Sequence, residues 1–204
     1  MTRQSIVVVS AGLGQPSSTR LLAERLAAAS SDALLEQGQE TEVRFVDLRD
    51  HAHALADTLL TGFATGDLRE ALDALYAADG VIAVTPVFQA SFSGLFKTFF
   101  DVVEDGALKG MPVLLAATAG TARHSLVLEH ALRPMFAYLK ASSVPTTVFA
   151  ASEDWGGTTA DQGLAGRIEV AAEELAAMVA GTAARAVTDP FADPVPFERL
   201  LSGG

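Results

Sequence analysis

The sequence predicts an α/β fold: a three-layer sandwich with a five-stranded parallel sheet and helices on both faces. Short apolar runs alternate with longer amphipathic ones along the chain, five of each. The first, third and fourth apolar runs are almost unbroken, as parallel strands buried on both faces require. The chain has 204 residues, half of them hydrophobic, which suits one domain with ample core.

The first strand is Ile-Val-Val-Val-Ser at 6–10. A helix follows over 18–37, with Leu21, Leu22, Leu26, Leu34 and Leu35 on one broad face and Gly38 as C-cap. The second strand is 42–47, and a less regular segment at 51–65 precedes a helix at 67–78. The third strand is 80–85, where Pro86 stops it because proline has no N–H for the ladder. Ser91 or Ser93 caps the next helix, 93–103. The fourth strand is 112–117, followed by a long helix at 124–141. The fifth strand is 146–150, and the last helix 163–180. Right-handed crossovers place helices on both sides of such a sheet, and the flavodoxin-like order 2-1-3-4-5 is the common five-stranded solution. The domain is expected over 1–187. A tail at 188–204 with three prolines breaks the pattern. Its apolar stretch 191–197 suits exchange between subunits.

Composition narrows the function. A net charge of −11 opposes non-specific contact with nucleic acid or anionic membrane. An anionic ligand must therefore meet helix N-termini or single arginines. No run of 18 apolar residues exists, and the first apolar run is too short for a signal segment, so a cytoplasmic protein is expected. There is no cysteine, hence no disulfide, thiolate ligand or cysteine nucleophile. G-x-S-x-G and H-E-x-x-H are absent, and His51, His53, His124 and His130 have no metal-ligand spacing. The ends of strands one and five also lack the acidic pair and lysine of a response-regulator receiver.

Ligands in doubly wound sheets bind outside the C-terminal strand ends, at the switch between strands one and three. Three loops meet there. The first, 10–20, contains Ser10, Gly12, Gly14, Ser17, Ser18, Thr19 and Arg20 and opens a helix. Hydroxyls and backbone N–H groups at a helix start bind phosphate. Ser17 stands where a third glycine would complete G-x-G-x-x-G, so a terminal phosphomonoester fits better than a pyrophosphate. An ordinary capped helix start uses the same residue types. The second loop carries Pro86, Val87, Phe88, Ser91, Phe92 and Ser93, whose aromatics suit a planar ligand or the core. The third, 117–125, contains Thr118 and, after it, Gly120 and Thr121; the backbone N–H groups of the last two suit a carbonyl or a developing anion, or simply close a tight loop.

Together these loops resemble the NAD(P)H-dependent FMN reductases of flavodoxin-like fold. The likeness is greatest to those that supply reduced FMN to two-component monooxygenases. It is most specific over Thr85–Lys97, a form of T-P-x-F/Y-x-x-S-F/Y-S-G-x-x-K, and is extended by the stretch 117–124 and by 131–134. In order, it covers roughly residues 5–150. The resemblance implies that Ser10, Ser17, Ser18 and Thr19 bind the FMN phosphate. It places Pro86, Val87 and Phe88 along the isoalloxazine, with Ser91 and Ser93 nearby, and Thr118, Gly120 and Thr121 at the pyrimidine end. It implies FMN and NAD(P)H as cofactors, a homodimer or homotetramer, and a flavin-dependent monooxygenase as partner. No catalytic side chain is expected: the stacked cofactors exchange hydride and the protein positions them. Arg123 is placed to meet the dinucleotide phosphates. One departure is His130, where the alkanesulfonate-type reductases carry a Tyr linked to a π-bulge, tetramer packing and flavin used as a substrate. Alternatives are a quinone, azo or chromate reductase with firmly bound FMN, and an electron carrier without NAD(P)H activity.

Overall fold

The computed structural model describes residues 3–155 and 158–181. The proline-containing tail at 188–204 and its predicted subunit exchange lie outside the described residues. In chain order the elements are β1 (Arg3–Ser10), α1 (Ser18–Glu36), β2 (Glu40–Asp47), α2 (Ala52–Thr61), α3 (Gly66–Ala77), β3 (Gly80–Phe88), β4 (Ser91–Phe92), α4 (Gly94–Asp101), β5 (Pro112–Ala119), α5 (Arg133–Tyr138), β6 (Ser142–Ser143), β7 (Val148–Ala151) and α6 (Thr158–Gly181). The α/β flavodoxin-like architecture is as expected, with a parallel sheet and helices on both faces.

Strand alternation divides the core into two layers. Ile6, Val8, Ile82, Val84, Leu114, Ala116, Val148 and Ala150 face α1 and α6. Val7, Val9, Val81, Ala83, Val113, Leu115 and Ala117 point the other way, into a core shared with Leu55 of α2, Leu72 of α3, Phe96 of α4 and Phe136 of α5. Successive side chains leave a strand on opposite faces, so an unbroken apolar run supplies both layers.

The strand count corrects the expectation. Among the described residues the sheet has seven strands, in the order β2-β1-β3-β5-β6, with β7 also paired to β5 and β4 to β3, rather than five in the order 2-1-3-4-5. The expected fifth strand, 146–150, corresponds to β7, and a further short strand, β6, lies ahead of it on the same edge. Ser142–Ser143 pairs with the start of β5 and Val148–Ala151 with its end. Pro145, which lacks a donor, sits in the break.

The other extra strand arises because Pro86 does not stop β3. β1 pairs with β3 only as far as Ser10 opposite Val84, whereas β5 continues to Thr118 opposite Pro86. On the side vacated by β1, a missing donor costs no ladder bond. β3 then turns back on β4 through Gln89 and Ala90 (φ 48° and 67°), both left-handed as in a type I′ hairpin.

The predicted long helix at 124–141 is also broken. A 3₁₀ turn occupies Ala122–His124, a π turn Leu128–Leu132, and regular α-helix begins at Arg133. The pyrrolidine of Pro134 clashes with the carbonyl four residues back, that of His130, in an unbroken α-helix. Widening the preceding turn relieves the clash. Both carboxylate oxygens of Glu129 in this turn accept from Arg133, at 2.6 and 2.9 Å. The same guanidinium donates to the Val144 and Pro145 carbonyls at 3.1 and 3.0 Å. The π turn is thereby fixed to the split edge of the sheet.

Candidate functional site

The three loops converge at the C-terminal ends of β1, β3 and β5. The first is organised by the start of α1. Ser17 is its N-cap, and its Oγ accepts from the Arg20 N–H at 3.2 Å. Thr19, one residue into the helix, is buried, and its hydroxyl bonds that of Thr118 at the end of β5, 2.7 Å away. This contact joins residues 99 apart in sequence and locks the first loop to the third. The Arg49 Nη1 donates to the Leu13 carbonyl at 3.2 Å and holds the outer part of the first loop.

A cleft of about 280 Å³ opens between these loops. It brings together eight of the predicted residues: Ser17, Ser18, Thr19, Pro86, Val87, Phe88, Thr118 and Gly120. Leu13, Gly14, Pro16, Ala119 and Ser152 complete its lining. Ser152 was missed by sequence reading, although its position just after the last strand marks it by the strand-end rule. None of these lining side chains is a titratable acid or base at neutral pH.

Four predicted residues do not line the cleft. Ser10 is buried at the end of β1, and its Oγ has no hydrogen-bond partner among the described residues. Ser91 lies in β4, paired opposite Phe88. Ser93 is buried as the N-cap of α4. Its Oγ accepts from the Phe96 N–H at 3.1 Å, and its own N–H donates to Thr85 Oγ1 at 3.0 Å. Thr121 caps the 3₁₀ turn after β5, accepting from the Arg123 N–H at 3.4 Å.

Other expectations change in detail. Arg20 forms ion pairs with Asp47 and with Glu24, the latter at 2.8 Å, and its guanidinium lies 3.8 Å from the Phe45 ring centroid. Its charge is thus shared with two carboxylates. Phe92 packs into the aromatic core, 6.0 Å from Phe96, which continues through Phe100 to Phe136. Phe88 keeps 45% of its surface exposed, so of the two aromatics predicted in this loop it alone offers a ring to the cleft. His130 is exposed within the π turn, which forms here without the Tyr of the alkanesulfonate-type reductases.

The site's chemistry fits a phosphorylated planar ligand. A Cβ at Gly12 would lie 2.1 Å from Ser17 Oγ, so glycine there lets the first loop close on the helix start without turning the Ser17 hydroxyl away. A Cβ at Gly120 would meet no heavy atom within 4 Å, so the third loop presents bare backbone to the opening. Hydroxyls and helix-terminal N–H groups supply an anion site without a charged side chain in the cleft.

A doubly wound flavodoxin-like sheet with this neutral cleft at its switch point suits a flavin-binding oxidoreductase. The sequence profile described as NADPH-dependent FMN reductase matches residues 5–156, and the chain belongs to that family. The FMN reductase (NADPH) of Pseudomonas aeruginosa is 38% identical over 177 residues, covering 86% of this chain and 92% of the relative. The NADH-dependent FMN reductase SfnF of Pseudomonas putida is 38% identical over 148 residues, covering 72% and 77%. Among solved structures, an oxidoreductase from Corynebacterium diphtheriae superposes with a TM-score of 0.86 at 44% identity, covering 90% of this chain and all of that one. An apo NADH:FMN oxidoreductase superposes with a TM-score of 0.70 at 30% identity, covering 83% and 88%. The activity is accordingly NAD(P)H-dependent reduction of FMN. Among the described residues, no helix is long and apolar enough to cross a membrane.

Proposed function

We propose that the cleft holds FMN with its phosphate on the Ser17–Thr19 turn, above Ser10. The flavin ring then lies along Pro86, Val87 and Phe88, its pyrimidine end toward Thr118, Gly120 and Thr121. Ser91 and Ser93 act indirectly, by shaping the β3–β4 hairpin and the start of α4. The enzyme works in the cytoplasm as a homodimer or homotetramer and releases reduced flavin to a flavin-dependent monooxygenase. Arg123, exposed beside the third loop, meets the phosphates of the nicotinamide nucleotide.

The observation that carries this reading is a cleft built from three sequence-distant loops and lined without a titratable group. Such a lining offers no acid–base group, and its serine and threonine hydroxyls have no lining base to activate them as nucleophiles. Bound FMN supplies the hydride-accepting chemistry. The chain's residues bind and orient. The Ser17, Ser18 and Thr19 turn hydrogen-bonds a phosphate, Phe88 and Val87 exclude water from the ring, and the backbone at Gly120 stabilises negative charge arriving at the pyrimidine edge.

Flavin absorbance titration and steady-state kinetics test this. One FMN should bind per subunit. Ser18→Ala should raise KM for FMN roughly tenfold while kcat stays within about twofold, as loss of one charge-assisted hydrogen bond predicts. Turnover should depend on added FMN with no second acceptor. The reading fails if FMN does not bind, or if one non-glycine side chain of the cleft proves essential at saturating FMN.

A further inference from the structure

Thr85 opens the Thr85–Lys97 stretch, yet it does not line the cleft. Its side chain is fully buried, and its hydroxyl makes two hydrogen bonds of 3.0 Å. Oγ1 donates to the Pro86 carbonyl and accepts from the N–H of Ser93, eight residues further on.

These bonds sit where the sheet stops supporting β3. The last pair with β1 is Val84 opposite Ser10, and the last pair with β5 is Pro86 opposite Thr118. Val87 and Phe88 lie beyond both ladders. Among the described residues they pair only with Phe92 and Ser91 of β4. At the tip, Gln89 and Ala90 hold φ 48° and 67°, a left-handed conformation that is unfavourable for a non-glycine residue and lasts where neighbours impose it. Two contacts hold the hairpin. The Phe92 ring, 6.0 Å from that of Phe96, anchors β4 in the aromatic core. The Thr85 hydroxyl ties the two arms together at the base.

We propose that Thr85 is a positioning residue for the flavin: by closing the base of the hairpin, its hydroxyl sets where Pro86, Val87 and Phe88 stand against the ring, an assignment that rests on FMN lying along those three residues. Phe88 is 45% exposed, so packing does little to hold its ring, and its place follows from the backbone beneath it. Threonine Oγ1 carries one donor and two lone pairs, enough for both bonds. Valine matches the shape of threonine but leaves the Pro86 carbonyl and the Ser93 N–H without this partner. Serine keeps the hydroxyl and loses only the methyl. Reacting groups displaced by about 1 Å lose up to roughly a hundredfold in rate. A slack hairpin therefore lowers turnover as well as affinity, whereas loss of a phosphate contact lowers affinity alone.

The test compares wild type with Thr85→Val, Thr85→Ser and Ile168→Val. Ile168, buried in the core layer under α6, supplies a destabilised control. Thr85→Val should raise the Kd for FMN about tenfold, reduce the change in the flavin's visible band on binding, and lower kcat at saturating FMN about tenfold. Thr85→Ser should restore Kd and kcat to within about threefold of wild type. Ile168→Val should lower Tm and leave Kd, spectrum and kcat within about twofold. Amide hydrogen exchange on wild type needs no variant, and it decides the matter if Thr85→Val does not fold. FMN should slow exchange of the Ser93 N–H about tenfold more than that of the α3 amides, none of which belongs to the cleft.

Four outcomes overturn the assignment. Thr85→Val with a lowered Tm but wild-type Kd, spectrum and kcat gives Thr85 to the fold alone. Thr85→Ser that behaves like Thr85→Val gives the effect to the methyl. Equal losses in Ile168→Val give it to global stability, and equal slowing of the Ser93 and α3 amides removes the link between the hairpin base and the ligand. Failure of wild type to bind FMN removes the ring assignment itself, whereas FMN binding indifferent to Thr85→Val removes this inference alone.

Discussion

Gly12 and Ser17 form a pair whose coupling is calculable. A Cβ added at Gly12 would lie 2.1 Å from Ser17 Oγ, 3.1 Å from Thr19 Cβ and 3.2 Å from Ser17 Cβ. The overlap is with a hydroxyl, so the cheapest relief in Gly12→Ala is rotation of Ser17. That rotation abandons the bond from the Arg20 N–H and uncaps α1. Loss of a serine N-cap costs about 1 kcal/mol, within a range of roughly 0.5–2. The single variant alone is a poor readout. Gly→Ala also narrows the unfolded ensemble, stabilising by about 0.4–1 kcal/mol where the backbone permits, which offsets much of the lost cap.

A double-mutant cycle cancels that contribution. In Ser17→Ala the cap is already gone and the hydroxyl is absent, so adding Gly12→Ala meets only the two carbons beyond 3 Å. The coupling should be about 1 kcal/mol, the doubly substituted chain being more stable than the sum of the single effects predicts. Urea unfolding of all four proteins measures it, and the corresponding departure from additivity in Tm is about 2–4 °C for a chain of this size. Additivity within about 0.3 kcal/mol would show that Ser17 does not cap α1 through the geometry described. FMN titration of the same proteins should show weaker binding in every variant, because each disturbs the Ser17–Thr19 turn proposed to hold the phosphate.

Three further predictions follow from the same structure. Lys140 sits at φ 60° as the left-handed residue ending α5. Its N–H donates to Ala137 and the next N–H to Phe136, so Lys140→Gly should stabilise by about 1 kcal/mol in urea unfolding. Thr19→Val or Thr118→Val should each cost about 1–3 kcal/mol by leaving the opposite buried hydroxyl unpaired, and the double variant should cost less than their sum. Glu129 is held below its ordinary value of 4.5, chiefly by the hydrogen bonds from Arg133 against a smaller opposing effect of burial. Because its folded-state value is depressed, its stabilisation is present above about pH 4.5 and fades as the pH falls through the folded value. Glu129→Gln should therefore flatten that part of the acid limb in a thermal-melt series, and an unchanged limb would rule the pair out as its source.

Much of the site was legible because its signals are local. Ser17 to Thr19 read as a helix start from residue type alone, and Thr118 and Gly120 read as a strand-end loop. The likeness of the T-P-x-F/Y-x-x-S-F/Y-S-G-x-x-K stretch to the FMN reductases, rather than its composition, pointed to Pro86, Val87 and Phe88, which line the cleft. The cap expected at Ser91 or Ser93 falls to Ser93, while the resemblance had also set both residues near the flavin. A hydroxyl in a binding loop and a hydroxyl capping a helix look the same in one dimension, and Ser93 is the latter. Phe92 was ambiguous for a similar reason. Its ring turns into the Phe96–Phe100–Phe136 cluster, a choice made by neighbours up to 44 residues away (136 − 92).

The chain alone determined the layer architecture, the two-faced burial of the sheet and the end of it where the three-loop cleft opens, because alternation, apolar run length and capping act over a few residues. Tertiary structure decided which groups pair and which stay available. It joined Thr19 to Thr118, tied Arg20 to Asp47, carried β3 past Pro86 where β1 had already ended, and brought Trp155 beside α1 to wall a second cavity. Those outcomes depend on distances between segments far apart in sequence, which no local pattern encodes.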